Sequence, residues 1–168
     1  MTVQKSPQAL DAKLVNAVSS SAVDVLQSMA GTSCTLKNIS AKVDYTATGD
    51  ISAVIGIMGD DGEGMMSISF DLELGKIMVA RLLGISPEDL SDDDCSDGIG
   101  ELVNMISGRA KTLLSADSST PYKLSLPTVI KGRGHEIASR PKNNPYLMMF
   151  FDAEGHEFVL QVSFKFNR

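Results

Sequence analysis

Three polar residues, Asp97, Glu101 and Asn104, are spaced so that they share one face of a helix. At about 100° per residue, steps of four and three positions keep their side chains within roughly 60° of one another. No apolar residue separates them, so they form a polar stripe that a second molecule can touch. The amide oxygen of Asn104 can also accept a hydrogen bond from a water molecule without ionising.

The helix that carries this stripe has a clear inside. Gly108 and Lys111 continue the stripe, and the opposite side is apolar: Ile99, Leu102, Val103, Ile106, Ala110, Leu113 and Leu114. A glycine costs up to about 1 kcal/mol against alanine in an exposed helix. Close approach of another molecule would explain Gly108. Ser91 is predicted to cap the N-terminus of this helix.

A second segment repeats the pattern of the first. Residues 13–26 align with residues 101–114 without a gap, at a constant offset of 88 positions, and six pairs are identical. Ser69-Phe70 and Ser163-Phe164 match at an offset of 94. We therefore predict a single domain over residues 1–168, built from two diverged copies of one unit, about 9–90 and about 91–168.

The two copies differ where the stripe lies. The first copy has Lys13 at the position of Glu101, Ala9 at that of Asp97 and Ile39 at that of Pro127, and only Asn16 is kept: it aligns with Asn104. If the four residues act together, the second copy holds the only site.

The pattern Asp97-x3-Glu101-x2-Asn104-x22-Pro127 resembles the signature of the CheC/CheX/FliY phosphatases, which dephosphorylate the chemotaxis response regulator CheY. All four positions match. A chain with one intact site resembles CheX more than CheC, which has two. In element order the resemblance covers nearly the whole chain, whereas at motif level it covers residues 97–127.

The resemblance implies a role for each residue. Asn104 would position the attacking water, and Glu101 would pair with the active-site lysine of the regulator. Asp97, Gly108 and Pro127 would have supporting roles. The protein would need no cofactor of its own, because the phosphorylated regulator carries the Mg²⁺. CheX-like proteins also form homodimers by joining their sheets.

Two other functions remain open at this point. Relatives in the flagellar switch keep a related scaffold and use it for docking, so the chain could be a non-catalytic module that binds a phosphorylated receiver domain or a switch component. It could also be a structural dimerisation domain. Intact Glu101 and Asn104 favour catalysis.

Composition limits the class of protein. With 168 residues and 43% hydrophobic content, one domain with a substantial core is expected. A net charge of −6 argues against a nucleic-acid partner. Cys34 and Cys95 are expected to be reduced thiols. No secretory signal and no apolar run of about 18 residues is present, so we expect a cytoplasmic protein without a membrane partner.

Two further clusters invite a functional interpretation. The acidic run 92–94 with Asp97 lacks the glycine of a calcium-binding loop, so these charges are expected to serve the helix end and no metal site is predicted. His135 and His156 are expected at the surface, in or beside loops, with no serine or cysteine nucleophile nearby.

Periodicity predicts an α+β fold, with two long helices packed on a largely antiparallel, CheC-like sheet. The predicted helices cover residues 9–29 and 72–83, which Gly31 and Gly84 are expected to end, and the segment after Ser91. The predicted strands cover residues 34–45, 51–58, 65–70, 146–151, 157–166 and 123–130, the last of them interrupted by Pro127, and a Gly- and charge-rich loop is expected over 131–144. Methionines 65, 66, 148 and 149 are expected to fill the core, with a sheet edge as their alternative place.

Overall fold

The structure is a computed structural model, and it describes residues 8–42, 46–60, 62–115, 121–138 and 146–166. These residues form three α-helices, seven strands and one short 3-10 helix. The helices are α1 (Gln8–Ala30), α2 (Leu72–Leu83) and α3 (Asp92–Leu114), and the 3-10 helix is Pro87–Asp89. The strands are β1 (Thr35–Lys42), β2 (Thr46–Gly59), β3 (Gly62–Phe70), β4 (Lys123–Leu124), β5 (Thr128–Ala138), β6 (Tyr146–Ala153) and β7 (His156–Phe166).

The seven strands form one sheet in the order β1-β6-β7-β3-β2, with β4 and β5 both paired to β2. Every pairing is antiparallel, and two of the pairs, β2–β3 and β6–β7, are hairpins with short connections. The three helices pack on this sheet, and the apolar face of α3 contributes Leu102, Val103 and Ile106 to the core. The predicted α+β class and the antiparallel sheet are confirmed.

The helices end where the sequence predicts. Gly31 and Gly84 follow α1 and α2 with φ of 54° and 68°, a left-handed conformation that glycine adopts at little cost.

Among the described residues, no helix combines the length and the apolarity needed to cross a membrane.

The loop expected over 131–144 is wrong in its first part. Strand β5 continues to Ala138 and pairs with β2 from Thr46 to Val54. Its glycines and charges suggested a loop, but they are tolerated because β5 pairs on one side only. Ile137 on β5 packs with Met148 and Val159 on the sheet face away from the helices. The rest of the expected loop, 139–144, lies outside the described residues.

The four methionines at 65, 66, 148 and 149 lie on interior strands of the sheet, and most of them are in the core. Met66, Met148 and Met149 are fully buried, which confirms core filling for these three, whereas Met65 is half-buried. Their strands, β3 and β6, are interior strands of the sheet, so the alternative of a Met-rich edge is wrong.

The order of the strands is symmetric. It reads the same from either edge when β1, β2 and β3 are exchanged for β5, β6 and β7. At the centre, Ser67 pairs with Gln161, 94 positions away, which is the offset of the Ser-Phe match in the sequence. These registers support the two-copy organisation, which remains a proposal.

Helices α2 and α3 approach closely at Gly98, and this contact gives a prediction about stability. A Cβ on Gly98 would overlap the side chain of Val79, which is fully buried. We expect Gly98→Ala to lower the free energy of unfolding by about 1–3 kcal/mol through overpacking. Denaturant unfolding monitored by circular dichroism measures this loss.

Two variants control this prediction. Gly108→Ala makes the same change on the same helix where a Cβ would meet no atom within 4 Å, so it should raise stability by up to about 1 kcal/mol. In Gly98→Ala/Val79→Ala the clash is relieved, so the double variant should lose less than the sum of the single losses. Strictly additive losses would contradict the close contact.

His156 at the start of β7 predicts a pH dependence of stability. Its Nδ1 lies 2.7 Å from Oδ2 of Asp71, whose Oδ1 caps α2 by accepting the N–H of Leu74 at 2.7 Å. The hydrogen bond to Asp71, and then the nearby charges of Asp71, Glu73 and Asp152, raise the pKa of His156 above its ordinary 6.5, against a smaller opposing effect of burial. Protonated His156 therefore stabilises the folded state.

The sign follows from the raised pKa. The contribution of His156 should be complete below pH 6.5 and should be lost as the pH rises through the higher folded-state pKa. We expect His156→Asn to lower the melting temperature in mildly acidic buffer and to match the wild type in alkaline buffer. A difference between the two proteins that does not change with pH would contradict this assignment.

Candidate functional site

The helix that carries the polar stripe is fixed at its N-terminus. Ser91 has an extended backbone, and its Oγ accepts a hydrogen bond from the N–H of Asp94 at 3.0 Å, as predicted. Asp92, Asp93 and Asp94 fill the first turn, where carboxylates favour the positive end of the helix dipole. This cap sets where α3 begins and so the direction in which the stripe faces.

The stripe lies on the solvent side of α3. The side chains of Asp97 and Glu101 are exposed, and that of Asn104 is half-buried. Within the part of the chain that the structure describes, none of the three side chains makes a hydrogen bond or an ion pair. Their carboxylate and amide groups can therefore meet a partner without first breaking a contact inside this chain.

Pro127, the fourth residue of the pattern, contacts α3. A Cβ on the buried Gly100 would lie 3.6 Å from Cγ of Pro127 and 3.4 Å from Cγ2 of Val129. The proline ring therefore packs against the helix one turn before Asn104. The fixed φ angle of Pro127 limits how far the segment around this residue can move relative to the stripe.

Gly108 occupies open space. A Cβ at this position would meet no atom within 4 Å, so the packing of this chain does not require a glycine here. The close contacts of α3 are instead made at Gly98 and Gly100, which the sequence did not single out. Helical spacing shows which residues share a face, but it does not show how near the next element comes.

The loop before Pro127 is also held in place. The N–H of Ser125 donates to the carbonyl of Gly56 at 2.9 Å, and the N–H of Gly56 donates to Ser125 Oγ at 2.8 Å. The Ser125 hydroxyl in turn donates to the carbonyl of Leu126 at 3.0 Å. The predicted interruption of the strand at Pro127 is confirmed. The sequence did not identify the attachment of this loop to β2, because the hydrogen bond joins residues 69 positions apart.

The first copy presents a different surface. On α1, Lys13 and Asn16 are both exposed, with a cation where α3 has the carboxylate of Glu101. Ile39, at the position that aligns with Pro127, is 41% exposed. The side chain of Ala9 lies outside the described residues. Asn16 is therefore exposed without an acidic neighbour at the aligned position.

The expectation for His135 is wrong in two respects. His135 lies in β5, and its Nε2 is 2.7 Å from Oγ of Ser52. Ser52 is fully buried and shares a hydrogen bond with Ser69 at 2.8 Å. Because its hydroxyl faces no solvent, this pair ties β5 to β2 and does not form a nucleophilic site. The contact escaped the sequence because 83 positions separate the two residues.

The cysteines and acidic groups show no second centre of chemistry. Cys34 and Cys95 are free thiols; burial raises the pKa of Cys34 to about 11 and also raises the pKa of Cys95. In the ranges that the structure describes, no three His, Cys, Asp or Glu side chains are grouped so that they could hold a metal ion.

A family model and several solved structures indicate the same family for this chain. Residues 51–152 match the family described as "Chemotaxis phosphatase CheX". The chain is 31% identical to the chemotaxis protein CheX from Vibrio vulnificus, with a TM-score of 0.81 over 92% of this chain and 100% of that one. For CheX from Desulfovibrio desulfuricans the identity is 30% and the TM-score 0.79, over 92% and 99%. No curated protein sequence matches the chain.

A more distant structure resembles the chain in fold. It is a chain of the CheX–CheY–BeF3–Mg²⁺ complex from Borrelia burgdorferi, with 20% identity and a TM-score of 0.69 over 91% of this chain and 96% of that one. At this identity the similarity concerns the arrangement of helices and strands.

Proposed function

Because the chain belongs to the CheX family of chemotaxis phosphatases, we propose that it hydrolyses the phosphoaspartate of a CheY-like response regulator. The Borrelia burgdorferi complex supports a partner of the CheY type. Hydrolysis would return the regulator to its unphosphorylated form and so shorten the lifetime of the signal.

The regulator supplies much of the chemistry. Its phosphoaspartate sits beside a bound Mg²⁺ and a lysine, which together stabilise the charge of phosphoryl transfer. The oxygen of a water molecule attacks the phosphorus, the bond from phosphorus to the aspartate oxygen breaks, and inorganic phosphate leaves. The regulator lacks a group that holds this water in line with the bond that breaks. Holding the water there can remove a large part of the activation free energy.

Asn104 is proposed to position the water. Its amide oxygen accepts a hydrogen bond from one O–H of the water, which directs a lone pair of the water oxygen at the phosphorus. The amide need not ionise, so this role requires no shifted pKa. The half-buried side chain has fewer orientations to lose on docking than a fully exposed one.

Glu101 is proposed to pair with the lysine of the regulator. Its exposed carboxylate stands one turn from Asn104, so a charge-assisted hydrogen bond to that lysine would anchor α3 in the cleft of the receiver domain. Asp97 would extend the negative charge of the stripe. Gly108 would leave room for a loop of the partner, and Pro127 would support the helix beside Asn104.

One observation carries the proposal. The carboxylate of Glu101 and the amide of Asn104 lie on the solvent side of a capped helix, with no partner among the described residues. Polar groups that are buried for a structural purpose are paired within the chain. Groups that complete another protein's active site must be left unpaired until that protein arrives.

The proposal is tested by adding a small amount of the protein to an excess of phosphorylated receiver domain with Mg²⁺ and following inorganic phosphate. We expect release of more phosphate than protein added, and its arrest by a chelator that removes the Mg²⁺ of the regulator. Co-elution with the receiver without faster release would identify the non-catalytic binding module instead.

We also propose that the protein acts as a cytoplasmic homodimer. Strand β1 leaves one long edge of the sheet open among the described residues, and a second copy could pair with it. Light scattering of the purified protein measures the mass directly. A monomeric mass at micromolar concentration would contradict the dimer and would leave the phosphatase proposal standing.

A further inference from the structure

Leu126 is the most exposed of the large apolar side chains in the described part of the chain. It is 89% exposed, whereas the next, Met58, is 52% exposed. Single exposed apolar residues are ordinary on protein surfaces, so exposure alone assigns no role to Leu126. Its setting distinguishes it, because the backbone on both sides of it is fixed.

The fixed backbone has two attachments. On the N-terminal side, Ser125 exchanges hydrogen bonds of 2.9 Å and 2.8 Å with Gly56, and its hydroxyl donates to the carbonyl of Leu126 itself. On the C-terminal side, the ring of Pro127 packs against Gly100 of α3. An apolar side chain is thus presented to solvent from a segment that cannot easily withdraw it into the core.

The same contacts place Leu126 beside the stripe. On a helix with 3.6 residues per turn, Gly100 lies about 40° around the axis from Asn104 and about 100° from Glu101. Because Pro127 packs at Gly100, the segment that carries Leu126 borders the stripe on the Asn104 side. A receiver domain that reaches Asn104 therefore has to meet this segment as well.

We propose that Leu126 is an apolar anchor that docks the receiver domain of the phosphorylated regulator next to Asn104. The inference rests on the proposed function, since it takes the same partner at the same site. An anchor held on a fixed backbone loses little entropy on binding and excludes water from its surroundings. It supplies affinity and orientation, whereas Asn104 and Glu101 supply the polar contacts.

The test compares Leu126→Ala with the wild type in phosphate release and in binding of a receiver domain activated with beryllofluoride and Mg²⁺. We expect KM and Kd to rise about tenfold, as for truncation of an interface anchor, with kcat at saturation nearly unchanged. Leu126→Met, which keeps the apolar volume, should restore most of the affinity. The melting temperature should not fall, since the side chain is 89% exposed.

Leu113→Ala is the matched control. Leu113 is 43% exposed on α3, roughly on the side opposite Asn104, so the same truncation there should leave KM and Kd unchanged. Unchanged KM and Kd for Leu126→Ala in an active protein would overturn the inference and leave the phosphatase in place. If the wild type binds the receiver without hydrolysing phosphate, the proposed function fails and the Kd values still decide the role of Leu126. Absence of any binding would overturn both.

Discussion

The Asn104→Ala protein is expected to lose phosphate release by a factor of about 10²–10³ in kcat while keeping its affinity for the phosphorylated regulator. Removal of one positioning group from a phosphoryl or acyl transfer site typically has this effect, which corresponds to about 3–4 kcal/mol of transition-state stabilisation. Binding survives because Glu101 and the surrounding surface remain. Steady-state kinetics with a phosphorylated receiver domain separate kcat from KM.

The duplicated fold offers a control for this variant. Asn16 aligns with Asn104 and is exposed on α1, but Lys13 stands where α3 has Glu101. Asn16→Ala makes the same change on the aligned helix and should leave kcat and KM as in the wild type. Loss of activity in Asn16→Ala would show that the first copy also carries a site. Full activity of Asn104→Ala would remove its role in positioning water.

Replacement of Glu101 by alanine should raise KM and lower kcat together, each by roughly tenfold or more. A hydrogen bond to a charged group is worth about 1.5–3 kcal/mol, and here it would both anchor the regulator and set the distance of Asn104 from the phosphorus. The loss in kcat/KM should be larger at low salt than at high salt. Before docking, Glu101 and the lysine of the regulator are both exposed, so dissolved ions weaken their attraction. Activity assays across a salt series measure this difference.

Reversal of the charge at position 101 tests whether the partner of Glu101 is a cation. Glu101→Lys should abolish activity on the wild-type regulator, because two cations would face each other across the interface. Asp97→Asn removes a carboxylate one turn away, and its effect should be smaller, since Asp97 is proposed only to extend the charge. A Glu101→Ala protein with wild-type KM would contradict the anchoring role, whatever its kcat.

Much of the fold could be predicted from local chemistry. Glycines at 31 and 84 and a serine at 91 mark helix ends because they act on the backbone within a few residues, and all three behave as predicted. Periodicity also placed the stripe on the solvent side of α3. These features depend on neighbours in the sequence, which is why one sequence is enough to find them.

The failures all involve contacts between distant parts of the chain. The glycines and charges of residues 131–138 predict a loop, but the pairing of this part of β5 with β2 outweighs them. The Ser52–His135 hydrogen bond likewise depends on how separate elements meet. Gly108 drew attention through its cost to the helix, whereas the tight contact is made at Gly98.

The most direct test of the central claim is a single-turnover measurement. The phosphorylated regulator is mixed with an excess of the protein and Mg²⁺, and the decay of phosphoaspartate is followed in the saturated complex. The account predicts decay much faster than that of the regulator alone, and decay close to that of the regulator alone when Asn104→Ala replaces the wild type. Equal decay with and without the wild-type protein, in a complex shown to be saturated, would contradict it.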